Sequence, residues 1–537
     1  MTTTFIQPHS AQAAFAPAIT GAETLVRTLL AGGIDTCFTN PGTSEIHIVS
    51  AFDRVPGMRC VLGLFEGVVT GAADGYARMA EKPACTLLHL GPGLANGLAN
   101  LHNASRAQVP IVNVIGQHAI DHIRHDTPLT SDIESIARPY SKWLRTVRFA
   151  AEIGMDAAQA IAASRTAPGQ IATLIVPADV AWGQSGWSEG GVVPQRPAAP
   201  KVPFPQAENI ARTAAMLRSG LPTAMLLSGS ALYGKGLEAA GRIAQATGVK
   251  LFVPYPIARL QRGAGLPAVE RIQYIPEQAK AQLKEFRQLI LVGTSAPLAY
   301  FAYPGKDCAL TSPECDIQTL ARAGDDLTGA LEALAAEFQG HRRQASEESD
   351  GRPAIPSGEI TLAGLADAIG ALLPENAIVV DESMTSGRGI MAATKAAPPH
   401  DWLGNTGGSI GIALPLAVGA ATACPNRRIL CLTADGSAMY TAQALWTMAR
   451  ERARITTVVF ANRAYAVLKR EFSNLGIGDP GPRSRELFDI GHPDLDWVSL
   501  AKGMGVPATR VTSLDAFGTA LREGFESDGP MLIEVPL

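Results

Sequence analysis

Several features are scarce in this sequence, and each scarcity excludes something. Aromatic residues make up 6% and charged residues 18% of the 537 positions. The seven cysteines (37, 60, 85, 308, 315, 424, 431) are odd in number and contain no CxxC pair. Neither a disulfide framework nor a zinc site is expected, and a reducing, cytoplasmic setting fits best. There is no basic excess: 45 Lys plus Arg face 49 Asp plus Glu, a formal net charge of −4. Nucleic-acid binding is therefore not expected. The first twenty residues lack the basic and apolar regions of a targeting signal. The longest uncharged stretch, Trp402 to Asn426, is interrupted by Asn405, Thr406, Gly407, Gly408, Ser409 and Pro415. A membrane span needs about 20 mostly apolar residues. A buried loop followed by a helix is expected here instead, and no membrane association.

What is present is a 47% hydrophobic chain with 53 glycines and 37 prolines. Its length suits about three domains. Two stretches rich in Gly, Pro, Ser and charge, 184–206 and 341–359, read as linkers. They divide the chain into segments 1–185, 205–340 and 357–537. Each segment alternates short apolar runs with longer helix-like stretches. The runs include DTCFTN, ACTLLHLG, PIVNVIG and IATLIVPA, then TAMLLSGS, KLFVPYP and LILVGTSA, then AIVVDES, RILCLTADG, TTVVFANR and MLIEVPL. Runs without polar alternation suit strands covered on both faces, and strand–helix–strand repeats imply parallel sheets. The expected fold is α/β, with three doubly wound parallel-sheet domains. In such sheets ligands bind beyond the carboxyl ends of the strands.

Two such ends carry chemistry. In the third segment a strand ends at Ala434-Asp435-Gly436-Ser437, and the next ends at Asn462, 27 residues after Asp435. One strand–helix–strand unit places both at the same sheet edge. The Asp435 carboxylate, the Asn462 amide oxygen and the Ala464 carbonyl offer hard oxygens of the kind Mg²⁺ takes. Gly436 permits close approach of phosphate oxygens, and the following helix N-terminus offers free N–H groups. An ordinary strand-to-helix turn with a capping aspartate is the alternative. In the first segment Glu66 lies among Leu62, Leu64, Phe65, Val68 and Val69. A carboxylate there needs a partner or an abnormal pKa, unless it only complements the helix dipole.

The Asp435-Gly436…Asn462 pattern resembles the thiamine-diphosphate (ThDP) binding motif, GDG followed by N or NN. Ala434 stands for its first glycine and Arg463 for its second asparagine. The first segment, NPGTSE…E-G-x-x-x-x-A-D-G-Y-A-R…GPG…N, resembles the pyrimidine-binding domain of the same superfamily. The resemblance covers nearly the whole chain and is closest to the acetolactate synthase and benzoylformate decarboxylase branch. It implies pyrimidine-binding (1–185), middle (205–340) and diphosphate-binding (357–537) domains. It also implies ThDP and Mg²⁺ as cofactors, with Asp435, Asn462 and Ala464 on the metal. A homodimer would be the minimal active unit, with homotetramers usual. Glu66 would hydrogen-bond the aminopyrimidine ring. Within GNTGGSIGIALP, the Gly408 carbonyl would accept from the amino group and Ile410 would prop the bent cofactor. Ser386, Gly436 and Ser437 would meet the diphosphate.

For substrate chemistry, His89 matches a histidine of benzoylformate decarboxylase that acts on intermediates, although a purely structural role for it is equally open. Thr43 aligns with a serine that holds the substrate carboxylate. Phe301 falls where the second catalytic histidine of that enzyme would be. Gln117 ends a strand and would face the pocket, and Leu468, Lys469, Glu471 and Phe472 would lie near it. The histidines of HAIDHIRH could mimic a metal face, but a solvated polar loop is the favoured reading. The middle segment shows no flavin signature, so FAD is not expected. The resulting expectation is a non-oxidative 2-oxo acid decarboxylase with carboligation as a side activity. An acetolactate-synthase-like carboligase, a 2-hydroxyacyl or benzoin-type lyase and a non-catalytic relative are the alternatives.

Overall fold

The computed structural model describes residues 18–188, 200–340 and 351–537. Three parallel sheets dominate. The first has six strands, in the order Arg59–Leu62, Thr36–Asn40, Ala84–Leu88, Ile111–Gln117, Ile171–Pro177, Trp143–Thr146. The second has five: Glu270–Arg271, Lys250–Val253, Thr223–Leu227, Gln288–Val292, Asp316–Ala321. The third has seven: Leu260–Arg262, His400–Gly404, Ile378–Glu382, Ile429–Ala434, Ile455–Ala461, Met531–Pro536, Ala508–Arg510. Each apolar run singled out above forms one of these strands. Ile111–Gln117, Ile171–Pro177 and Ile455–Ala461 are buried along their full lengths, as the absence of polar alternation requires.

Two details depart from the sequence reading. Leu260–Arg262 lies in the middle segment but pairs antiparallel with His400–Gly404, so it joins the third sheet. The first linker stretch begins as a strand: Gln184–Ser188 pairs antiparallel with Ala18–Thr20. Backbone pairing to the start of the first segment overrides its glycine-rich composition. Residues 189–199 of that stretch and residues 341–350 of the second lie outside the described residues. The Trp402–Asn426 stretch opens in a strand, turns through a loop and continues as the helix Ala413–Ala423. Among the described residues, no helix is long and apolar enough to cross a membrane.

The first and third sheets are coupled within the chain. The helix Glu66–Ala80 packs on Ala413–Ala423, and the core beneath draws on both sheets. Small residues make the approach possible. A Cβ on Gly75 would fall 2.1 Å from the Leu416 carbonyl oxygen, and one on Gly419 would fall 1.9 Å from that of Ala72. Asp74 and Arg78 form a buried ion pair at 2.7 Å, and the Arg78 guanidinium also donates to the Gly404 and Ala258 carbonyls. The Glu66–Ala80 helix is thereby tied to the loop that leaves strand His400–Gly404.

Candidate active site

The carboxyl ends of the first sheet gather Thr43, Glu45, Glu66 and His89. Glu66 opens its helix and is buried. Its carboxylate accepts from the side-chain amides of Asn40 at 3.3 Å and Asn96 at 3.0 Å. Both partners are neutral amides. His89 ends the Ala84–Leu88 strand and precedes the helix Leu90–Ala107. Leu90 there adopts a left-handed φ of 49°, an uncommon conformation for a non-glycine residue. The same conformation follows two other strand ends, at Met384 (52°) and Arg463 (55°). Such backbone outliers concentrate at functional sites.

The His89 ring meets a partner that sequence reasoning missed. Its Nδ1 lies 2.7 Å from Oε2 of Glu45, which has no solvent exposure. The same oxygen accepts from the Gly42 N–H at 2.9 Å, while Oε1 has no hydrogen-bond partner. Burial pushes the Glu45 carboxyl above its usual range, and His89 and the backbone N–H pull it back only in part. A Cβ on Gly116 would sit 1.7 Å from Glu45 Oε1, and one on Gly42 would sit 2.2 Å from the His89 ring. Two glycines therefore make room for the pair. Thr43, the next residue after Gly42, is exposed at the start of a 3-10 turn. Gln117 is buried and turns its amide oxygen to the His118 N–H.

The second cluster lies at the carboxyl ends of the third sheet. The strands Ile429–Ala434 and Ile455–Ala461 are parallel neighbours, with Ala434 opposite Phe460. Asp435 accepts from the backbone N–H of Gly436 at 2.8 Å and of Arg463 at 2.7 Å. Asn462 takes the Ala464 N–H at 3.0 Å. Burial raises the Asp435 carboxyl, against the pull of these N–H donors. The donor types suit a hard cation: one carboxylate, one amide oxygen and backbone carbonyls. Among the described residues no group of three or more His, Cys, Asp or Glu could hold a metal. That leaves this mixed oxygen set as the candidate. Ser437 and Ser386 are both buried close to their strand ends.

The structure corrects one detail around these residues and adds two. The expected helix after Asp435 is a single turn, Asp435–Ala438, followed by a 3-10 turn and a separate helix Ala444–Arg450. Local N–H groups, not the dipole of a long helix, are what it offers. Gly436 is required by packing: a Cβ there would lie 2.6 Å from the Tyr465 ring. The HAIDHIRH histidines lie on the 3-10 helix Ile120–His125 or just before it. The rings of His118 and His122, and of His122 and His125, stand 5.4 and 5.7 Å apart. They meet edge-on or tilted, with His122 and His125 exposed and His118 partly so, as the polar-loop reading expects.

The loop between Gly404 and Ala413 belongs to this second cluster. Gly408 is exposed, with a φ of 79°, and Ile410 is half-buried. The Leu90–Ala107 helix holds the loop from one side: the His102 ring meets the Gly407 carbonyl at 3.0 Å, and the Asn103 amide donates to the Ser409 carbonyl at 2.8 Å. On the other side stands an aromatic series. Tyr255, Tyr274, Tyr300 and Phe301 follow one another at 5.0, 5.7 and 5.1 Å. Tyr300 closes on Gly408, so that a Cβ there would lie 2.4 Å from the phenol oxygen. Phe301 is half exposed. Of the residues after the Asn462 strand end, Leu468 and Lys469 are exposed. Glu471 accepts from the Tyr303 hydroxyl at 3.0 Å, and Phe472 stacks on Phe488.

The two clusters fall within segments of the chain that match two known domain families. Residues 19–136 match the model of the thiamine pyrophosphate enzyme N-terminal TPP binding domain. Residues 386–535 match that of the C-terminal TPP binding domain. A Mycobacterium tuberculosis protein provisionally named acetolactate synthase large subunit IlvX is 51% identical, over 96% of this chain and 98% of its own length. Benzoylformate decarboxylase of Pseudomonas aeruginosa is 30% identical, over 94% of this chain and 96% of its own. In fold, the thiamine diphosphate-dependent 4-hydroxybenzoylformate decarboxylase of Rhodococcus jostii RHA1 superposes with a TM-score of 0.85. That match covers 96% of this chain and 99% of the other at 24% identity.

Proposed function

This chain belongs to the thiamine pyrophosphate enzyme family, and on that premise we propose that it is a ThDP- and Mg²⁺-dependent, non-oxidative decarboxylase of a 2-oxo acid. The observation that carries this reading is the His89–Glu45 pair beside Glu66. A decarboxylase that releases an aldehyde must return a proton to the carbon that lost CO₂. A carboligase that adds a second keto acid to that carbon has less need of a dedicated donor there. His89, backed by a buried carboxylate, is such a donor.

The cofactor would supply the electron sink for the pair left behind when CO₂ departs. The remaining tasks fall to this chain. Glu66, buried between two neutral amides, holds a proton-sharing position towards a ring nitrogen. The Gly408 carbonyl and Ile410 orient the ring. Asp435, Asn462 and Ala464 hold Mg²⁺, with Ser386, Gly436 and Ser437 beside the diphosphate. Thr43, exposed and next in sequence to Gly42, which packs against the His89 ring, receives the substrate carboxylate. Glu45 fixes the orientation of His89 through Nδ1 and leaves Nε2 for proton transfer. From the resemblance to enzymes whose site takes the glutamate from one subunit and the metal from the other, we infer that a homodimer is the minimal active unit.

A carboligase of acetolactate-synthase type is the second reading. It is supported by the 51% identity to the M. tuberculosis protein and by Phe301, which replaces a second proton-transferring group with an apolar ring. The deciding experiment measures CO₂ release with ThDP and Mg²⁺, offering benzoylformate and pyruvate in parallel and identifying the products. Benzaldehyde supports the decarboxylase. Acetolactate moves the assignment to the carboligase. Turnover of neither substrate refutes both substrate assignments.

A further inference from the structure

Glu382 is a buried carboxylate for which the scheme above has no use. It ends the interior strand Ile378–Glu382 of the third sheet and is 3% exposed. Its two oxygens carry a set of donors that all belong to the Gly404–Ala413 loop or its exit. The Asn405 amide donates at 3.0 Å, the Gly411 N–H at 3.1 Å to both oxygens, and the Ala413 N–H at 3.1 Å. The contacts to Gly411 and Ala413 also satisfy N–H groups at the start of the Ala413–Ala423 helix, which has no side-chain cap of its own.

Asn405 extends this grip to the exposed part of the loop. While donating to Glu382 it also donates to the Ser409 carbonyl at 2.8 Å and accepts the Gly408 N–H at 2.8 Å. Gly411 is fixed from the far side as well, where its carbonyl accepts from the Thr441 hydroxyl at 2.6 Å. Both glycines have left-handed φ angles, 79° at Gly408 and 92° at Gly411. The loop is thus folded around a Glu382–Asn405 hub, and the exposed Gly408 and the half-buried Ile410 are what that hub presents.

We propose that Glu382 is a positioning residue for the cofactor: it does not touch ThDP, but through Asn405, Gly411 and Ala413 it holds the Gly404–Ala413 loop in the conformation that binds the aminopyrimidine. This rests on the reading that Gly408 and Ile410 meet that ring.

The chemistry of the hub gives the proposal a signature. Every partner of Glu382 is an N–H donor, so only the carboxylate satisfies them all; a protonated acid carries one O–H that finds no acceptor among them. Burial, opposed by these hydrogen bonds, pushes the carboxyl up to about 7. The titratable groups near it are the Cys431 thiol on the adjacent strand, itself raised partly by Glu382, and Asp381 on its own strand. Asn405, Gly411, Ile412 and Ala413 carry no charge, and the main causes of the shift are burial and these hydrogen bonds. The loop is therefore fully anchored above about pH 7 and loses part of its anchor below. If only the anchored state binds well, apparent affinity for ThDP falls about tenfold between pH 8 and pH 6.

The test is calorimetric titration of the full-length protein with ThDP at saturating Mg²⁺, from pH 6 to pH 8. It compares wild type with Glu382→Gln, Asn405→Ala and Ile410→Ala. Glu382→Gln is expected to bind at least tenfold more weakly at pH 8. Its pH slope should be shallower than the wild-type slope by about tenfold over the range, which removes any contribution from titration of the ligand's own phosphates. Asn405→Ala should weaken binding while keeping the wild-type slope, because the carboxylate remains. A Glu382→Gln protein with wild-type affinity and slope overturns the proposal. If Glu382→Gln does not fold, Asn405→Ala decides: unchanged affinity overturns the proposal equally. Ile410→Ala separates the two layers of the argument. If it binds ThDP as wild type does, the loop does not meet the aminopyrimidine, and the underlying reading fails first.

Discussion

Replacing Glu45 by Gln tests the proposed proton donor directly. The pair is short, 2.7 Å, and Glu45 has no solvent exposure. Glutamine keeps the shape and can place its oxygen where Oε2 now accepts from His89 and from the Gly42 N–H. Its NH₂ then takes the place of Oε1, which has no partner. The substitution therefore removes charge and leaves geometry. A hydrogen bond to a charged group contributes about 1.5–3 kcal/mol, and about 1.4 kcal/mol is tenfold in rate. If the carboxylate supports a protonated His89 in the rate-limiting step, kcat/KM for the 2-oxo acid falls roughly tenfold to a hundredfold. The alkaline limb of the pH–rate profile, on which a general acid loses its proton, also moves to lower pH. A buried, unpartnered NH₂ costs about 1–3 kcal/mol of stability, so thermal unfolding must show that the variant is folded at the assay temperature. A folded Glu45→Gln protein with kcat/KM within twofold of wild type and an unshifted profile refutes the role assigned to the pair.

Three further outcomes follow from the fold. Arg78→Met leaves Asp74 buried and unpaired and frees the Gly404 carbonyl; breaking a buried pair from one side costs about 3–5 kcal/mol, readable as a fall in the urea midpoint. Gly419→Ala drives a methyl group against the Ala72 backbone at 1.9 Å and is expected to abolish soluble, cooperatively folding protein, whereas Ala→Gly at exposed positions of similar helices is not. His400 is buried, donates its Nδ1–H to the Pro398 carbonyl at 2.8 Å, and is pushed down to about 4 by burial, with Arg262 and Arg427 adding to the effect. It is neutral in the fold and charges more readily in the unfolded chain. Its stabilising contribution is complete above pH 6.5 and is lost as the pH falls towards 4, about 2 kcal/mol between pH 7 and pH 5. Urea unfolding at the two pH values should show a smaller loss in His400→Gln than in wild type.

How much of this could be read beforehand depended on where the physical cause lay. Strands sandwiched between helices announce themselves, because burial on both faces forces an unbroken apolar run; PIVNVIG and TTVVFANR are examples. The strands that escaped notice lie at edges or carry charge. Arg59–Leu62 has two exposed residues. His400–Gly404 is buried throughout, yet it contains His400 and Asp401. Asp401 is tolerated only because Arg259 and Arg427 reach it from elsewhere in the chain, at 2.8 and 2.7 Å. No local pattern encodes partners 142 residues away.

The same distinction separates the candidate site residues. Glu66 stood out because a carboxylate among leucines and valines demands an explanation. Asp435 and Asn462 stood out by spacing. Glu45 and Glu382 did not, because NPGTSE reads only as part of a longer motif and DES only as the end of the strand run AIVVDES. What buries them comes from far along the chain: Gly116 over Glu45, and Gly411 and Ala413 over Glu382. The available signal was glycine. A glycine inside the otherwise apolar run IVNVIGQ weakens a strand unless something must pass close to it, and at Gly116 that something is a carboxylate. Gly411 likewise stands at the entrance of a helix that lacks a capping side chain, and the missing cap is supplied by Glu382. The hidden Glu45 is thus marked by the glycine that makes room for it, and the hidden Glu382 by the uncapped helix entrance that it serves.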